Sequence, residues 1–276
     1  MVTVLPLARL FSDRTRIVAL TGAGCSTESG IPDYRTPRDR PRSLPVQYLD
    51  FIRKPLIRQR YWARSMIGWP AIRAALPNPS HTALAALEGA GRLAGIITQN
   101  VDGLHQAAGS RAVTDLHGRL SEVRCEGCGQ ISPRADLQDR LVQANPSWVG
   151  RIGAANADGD AELDADTSAF VVPPCLACGG VLKPRVVFFG ENVPPPVFAE
   201  ASARLDTADA LLVAGTSLAV WSGLRFVRAA AARGLPIGCV NLGPTRGDPE
   251  LTLRLEARTG VALPALARAL LGRSPG

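Results

Sequence analysis

The run Arg16-Ile-Val-Ala-Leu-Thr21 breaks directly into Gly22-Ala23-Gly24. A mostly apolar run of this length reads as a strand buried on both faces, which belongs in a parallel sheet. The glycines that end it permit a tight turn whose backbone N–H groups can meet a pyrophosphate. Dinucleotide binding is one reading of this feature, and a structural turn without ligand is the other. The third glycine of G-x-G-x-x-G would fall at Thr27, and arginines rather than a ribose-binding acid stand about 20 residues further on.

Similar β-type runs recur at 95–98, 210–214 and 237–241. Between them lie helix candidates at 81–88 (capped by Ser80), 197–205, 223–233 (closed by Gly234) and 264–271. This alternation predicts an α/β fold, a Rossmann-like doubly wound parallel sheet. Two stretches interrupt it. An arginine-rich segment, 36–79, contains an amphipathic helical pattern over 51–69. The other, 119–182, carries four of the six cysteines and an acidic, Ala- and Asp-rich loop. Both read as insertions forming a smaller zinc-binding and helical domain, and 1–35, 80–118 and 183–276 make up the nucleotide-binding domain.

With 46% apolar residues, the 276-residue chain can build a sizeable core. No uncharged run reaches the ~18 residues a membrane helix needs. The glycine turn begins so early that no room is left for a removable signal, which makes the cytoplasm the expected address. The net charge of +7 is concentrated between Arg35 and Arg64, where nine cations face two anions. Such a segment attracts polyanions, whether nucleotide phosphates, acidic peptides or DNA, or forms a solvated helix face.

Cys125-Glu-Gly-Cys128-Gly129 and Cys175-Leu-Ala-Cys178-Gly179 are two C-x-x-C-G knuckles. Their small residues let the backbone curl so that both thiolates of each reach one tetrahedral ion, so the set reads as a closed, structural Zn2+ site, one per chain. Disulfides are the alternative, weakened by two further cysteines, Cys25 and Cys239, that have no apparent mates. Of three histidines, His117 closes the short run 113–116 beside the zinc insertion and is the best candidate general base; packing or capping is its other reading.

Together these residues resemble the sirtuin family of NAD-dependent protein deacylases. The stretch from Gly22 to Arg35, GAGCSTESGIPDYR, is similar to the family's GAGxSxxSGIPDFR loop, and Thr98 to His105, TQNVDGLH, to its TQNxDxLH segment. Leu116-His117-Gly118, the two knuckles, Lys183 to Glu191, Gly215-Thr-Ser217 and Asn241-Leu-Gly243 follow in family order across nearly the whole chain. Tyr34, the stretch from Arg58 to Arg64 and Asn241 to Arg246 are similar to the class II branch, known for modest deacetylation, removal of other acyl groups and ADP-ribosyl transfer.

The resemblance implies NAD as co-substrate and acylated lysine proteins or peptides as partners, with nucleic acid and membrane disfavoured. Gly22, Ala23, Gly24, Ser26, Asp33, Tyr34 and Arg35 would form the cofactor loop. Gln99 would bind ribose, and Asn100 and Asp102 would order the nicotinamide end. Gly215, Thr216 and Ser217 would meet the phosphates again, while Asn241, Leu242, Gly243 and Thr259 would line the adenosine side. The peptide would lie between Gly190–Glu191 and Val220–Ser222, with Val187 and Phe188 at the acyl-lysine tunnel. By the same resemblance, nicotinamide would leave when the acyl oxygen attacks the ribose, and His117, which with Asn100 would form the catalytic pair, would then deprotonate the ribose diol, giving free lysine and O-acyl-ADP-ribose. Tyr61 and Arg64, three apart on one helix face, are expected to bind an acyl carboxylate, against the alternative of packing and solvation. A protein ADP-ribosyltransferase is the competing enzyme and a zinc-ribbon nucleic-acid module the competing class. The sequence leaves the oligomeric state open.

Overall fold

The computed structural model describes residues 3–33, 45–151, 153, 159–161, 163 and 165–272. From the N-terminus the chain runs α1 (Leu5–Phe11), β1 (Ile17–Thr21), α2 (Tyr48–Arg53), α3 (Pro55–Ala74), α4 (Pro79–Gly89) and β2 (Leu93–Thr98). It continues through α5 (Leu104–Ala107), β3 (Val113–Asp115), β4 (Gly118–Cys125), β5 (Ile131–Pro133), α6 (Arg134–Ala144) and β6 (Leu182–Val186). The remainder is α7 (Pro195–Asp206), β7 (Ala210–Ala214), α8 (Trp221–Ala232), β8 (Ile237–Asn241), β9 (Leu253–Glu256) and α9 (Thr259–Leu271).

All five residues of β1 are buried because β1 lies inside a six-stranded parallel sheet of order β3-β2-β1-β7-β8-β9. Alternate side chains enter two cores. Ile17 and Ala19 pack with Leu7 and Phe11 of α1, Leu84 and Leu87 of α4 and Leu263 and Leu266 of α9. Val18 and Leu20 face Leu205 of α7 and Leu224, Phe226 and Val227 of α8. The chain winds outward from β1 to β3 on one side and from β7 to β9 on the other. Its crevice therefore opens at the carboxyl ends of β1 and β7, where Gly22 and Gly215 stand.

A second, antiparallel sheet of order β5-β4-β6 has its own core. Phe51, Tyr61 and Trp62 pack there with Leu120, Val123, Leu137, Leu182 and Phe188. β6 pairs with β4, so residues 183–186 belong to this small sheet, across the boundary expected at 183.

Three local readings change. The pattern over 51–69 is two helices, broken where Lys54 precedes Pro55, because the residue before a proline is pushed out of the helical region. The second of them buries Tyr61 through Met66 without interruption instead of one face. α4 is capped by Asn78, whose Oδ1 accepts the Ser80 N–H at 2.8 Å, and not by Ser80. α9 starts at Thr259, with Pro264 inside it.

Candidate active site

Two glycine loops meet at the crevice. A Cβ on Gly24 would lie 2.9 Å from Gly215 Cα, and one on Gly22 would lie 2.6 Å from Thr216 Cβ. Gly215 has φ +60°, where a Cβ would meet Cys25 N at 2.5 Å, so only glycine allows this approach. The Gly24 N–H donates to Gly215 O at 2.8 Å and locks the loops together. Thr259, at the start of α9, donates to Gly24 O at 3.1 Å and is itself the acceptor for Ser80 Oγ at 2.9 Å.

The loop after β2 enters the same space. Asn100 Nδ2 donates to Ser26 Oγ at 3.0 Å and to Gly22 O at 3.2 Å, and Ser26 Oγ donates to Asp102 Oδ2 at 2.6 Å. The Leu104 N–H secures the other Asp102 oxygen at 2.9 Å. Gln99 Nε2 donates to Thr216 Oγ1 at 3.0 Å, which bridges to the second glycine loop. Ser217 O accepts the Arg246 N–H at 2.9 Å. Beyond it, Asn241 is buried and Nδ2 donates to the carbonyls of Leu242 and Gly243 at 2.9 and 3.0 Å, while the Leu242 side chain stays exposed. Asp33 is described, whereas Tyr34 and Arg35 lie outside the described residues.

His117 is part-buried between this loop and α8. Its Nδ1 lies 2.9 Å from Gln99 O and its Nε2 lies 2.8 Å from Ser222 Oγ. A carbonyl only accepts, so Nδ1 carries the proton of the neutral ring and Nε2 is left bare, accepting from the serine. Burial pushes the imidazole below its usual range, and the Gln99 carbonyl pulls partly the other way. The other two histidines are buried behind the crevice with ring centroids 4.8 Å apart. His105 Nε2 meets Thr21 Oγ1 at 2.9 Å, and burial pushes His105 down to about 3.

The opposite wall is the turn after β6. Lys183, itself buried, is 2.9 Å from the Glu191 carboxylate, which also accepts the Phe188 N–H at 2.9 Å. The Val187 N–H donates to His117 O at 2.8 Å, tying this turn to the histidine loop. Gly190 has φ +78°. Phe188 contacts the rings of Phe51 and Tyr61 at 5.2 and 5.3 Å. Tyr61 and Arg64 share α3 as expected, but the Arg64 guanidinium is held inside the protein. It is 2.9 Å from the Asp160 carboxylate, and its Nε donates to Ala161 O at 2.8 Å, with both charged residues buried.

The four knuckle sulfurs all lie within 4.8 Å of one another, with Cys125 and Cys178 at 3.4 Å and Cys128 and Cys175 at 3.9 Å. A zinc tetrahedron with bonds of ~2.3 Å has edges of about 3.8 Å, so the set fits the ion. The N–H groups of Cys128 and Gly127 point at Cys125 Sγ and draw its thiol down to about 6, towards the ligating thiolate. A Cβ on Gly180 would sit 2.9 Å from that sulfur.

The Sir2 family model matches residues 22–222. The chain belongs to the Sir2 family. It is 55% identical over 250 residues to NAD-dependent protein deacetylase 2 of Bradyrhizobium diazoefficiens, covering 90% of this chain and 92% of that protein. It is 46% identical over 265 residues to the NAD-dependent protein lipoamidase sirtuin-4, mitochondrial, of Homo sapiens, covering 94% and 84%. A solved complex of Sir2 with a p53 peptide and NAD+ is 30% identical and superposes with a TM-score of 0.77 over 98% of each chain.

In this sirtuin the crevice suits a dinucleotide by its donor set. Glycine backbone, the hydroxyls of Ser26 and Thr216 and the amides of Gln99, Asn100 and Asn241 converge at the carboxyl edge of one sheet, and Asp102 is engaged by Ser26 and Leu104 N–H. Sequence reasoning missed Asn78 and the contact of Ser222 with His117. Asn78 Nδ2 braces the first loop through Cys25 O at 2.7 Å and Ser29 Oγ at 3.0 Å, and the Asn-Pro pair before α4 is a cap signal that could have shown it. Ser222 was expected only at the edge of the peptide cleft, and only the fold shows that it meets His117.

Proposed function

We propose that this sirtuin, an NAD-dependent protein deacylase, strips acyl groups from lysine side chains with His117 as the general base and Asn100 as its catalytic partner. The observation that carries the assignment is the histidine's fixed tautomer. Because Nδ1–H is tied to Gln99 O, proton transfer is directed to Nε2, on the side of the crevice that Ser222 and α8 border. NAD, when bound, supplies the ribose carbon that receives the acyl oxygen and leaves as nicotinamide and O-acyl-ADP-ribose. Gly22, Ala23, Gly24, Thr216 and Ser217 hold the phosphates by backbone and hydroxyl groups, and Tyr34 and Arg35 keep the cofactor role the sequence gives them. Asp33 stays in the cofactor set, with Gly215 for its turn and Gln99 for ribose. Ser26 and Asp102 hold Asn100 towards the nicotinamide end, and Asn241, Leu242, Gly243 and Thr259 border the adenosine.

The acylated peptide adds as a strand between Gly190–Glu191 and Val220, with Val187 and Phe188 at the acyl end. We assign the acyl group to the uncharged class. Arg64 is neutralised by Asp160, so an acyl carboxylate would have to break a buried ion pair to reach it. The lipoamidase name of the human relative points the same way. We place the activity in the cytoplasm, which suits six cysteines of which none is joined in a disulfide. Among the described residues no helix is long and apolar enough to cross a membrane. A panel of acetyl, lipoyl and glutaryl lysine peptides incubated with NAD tests the assignment. Nicotinamide release on the first two, above glutaryl, supports it, and preferential glutaryl removal overturns the acyl assignment.

A further inference from the structure

Ser222 is the second residue of α8, and its hydroxyl lies on the one nitrogen of His117 that is free to do chemistry, at 2.8 Å. Its place there is built. A Cβ on the next residue, Gly223, would lie 2.5 Å from Gln99 Oε1, so glycine lets the first turn of α8 close onto Gln99. Gln99 is also the residue whose carbonyl holds the other ring nitrogen. The helical turn that carries Ser222 therefore packs against Gln99 through Gly223, and the two partners hold the ring at both of its nitrogens.

A hydroxyl differs from every other neutral partner in serving both protonation states of the ring. It donates to bare Nε2 and, by turning its own hydrogen away, accepts from Nε2–H. We propose that Ser222 is the positioning residue of His117: it holds the ring by donating to bare Nε2, turns its hydrogen away to yield that lone pair when the ribose hydroxyl delivers its proton, and then accepts from Nε2–H. The second bond is charge-assisted and so the stronger of the two. Ser222 therefore favours the imidazolium and partly offsets the burial that opposes it. The charged groups close by are already partnered: Asp115 with Arg119, and Asp102 with Ser26 and the Leu104 N–H. This role rests on the proposed base function of His117, but the contact itself can be read without turnover.

The test uses the full-length protein and its Ser222→Ala and Ser222→Thr variants. The His117 ring is titrated by NMR in the absence of NAD and peptide, and deacylation is compared with exchange of labelled nicotinamide into NAD, which precedes the base step. Ser222→Ala is expected to move the His117 titration down by about half a pH unit to one unit and to lower kcat for deacylation about 3- to 10-fold. Nicotinamide exchange and the KM for NAD should stay as in the parent, and Ser222→Thr should restore the titration. An unshifted or upward-shifted titration in Ser222→Ala overturns the proposal, as does an equal fall in exchange and deacylation, which would mark a general structural role. Full deacylation by His117→Ala would instead overturn the base assignment while leaving the titration result standing.

Discussion

At the scale of single residues, three histidines do different things because burial and partners differ. His117 keeps one nitrogen on a carbonyl and offers the other, whereas His105 and His81 sit behind the crevice, neutral. Removing His117 as Ala should lower deacylation at least ~100-fold, the usual scale for a general base, and leave Tm nearly unchanged. Parent-like turnover would refute the role. The same shifts predict a stability profile. Burial pulls all three histidines below their usual range, so the unfolded chain binds more protons. Their contribution is complete above about pH 6.5 and is lost as pH falls, towards about 3 for His105, at up to ~1.4 kcal/mol per pH unit for each. Asp115, raised by burial, works in the opposite sense but from the carboxylate range. Thermal melts from pH 7 to pH 5 should show a falling Tm; a flat profile would contradict the buried neutral rings.

At the scale of elements, the interior strands were legible and the edges less so. β1, β7 and β8 are apolar runs ending in glycine or polar residues, a pattern that needs no partner to be recognised. β9 alternates buried-in-part and exposed residues at the edge of the sheet, and nothing in a four-residue run marks it as a strand. Pro264 drew the start of α9 five residues too late, because proline is favoured in a first turn; here the helix simply forgoes the N–H that would have met Gly260 O. The knuckles were legible because zinc needs only spacing, while the Arg64–Asp160 pair was not, because its members lie far apart along the chain. That pair gives a clear expectation. Arg64→Ala takes the guanidinium away from a buried carboxylate, and should destabilise the protein by about 3–5 kcal/mol with equal loss on acetyl and glutaryl peptides. Unchanged stability with selective loss of glutaryl activity would return Arg64 to the acyl site. Cys125→Ala or Cys178→Ala should abolish binding of one zinc per chain and, since Cys125 ends β4 and anchors the small sheet, lower solubility and activity together. Metal analysis finding a full zinc complement in either variant would overturn the ligand set.

At the scale of the whole molecule, function comes from where two sheets put their loops. The parallel sheet supplies the glycine loops and the loop after β2 at one edge. The small sheet supplies the Val187–Glu191 turn, joined to His117 by the Val187 N–H. Neither half contains a complete site, which is why order along the chain identified the family while the pairing of Ser222 with His117 needed the fold. The most direct test is the mass of the small product when the intact protein meets NAD and an acetyl-lysine peptide. The account predicts acetyl-ADP-ribose, one equivalent of free nicotinamide and one of deacetylated peptide, with no NADH absorbance. Accumulation of NADH, or ADP-ribose carried on protein while the peptide stays acetylated, would contradict it.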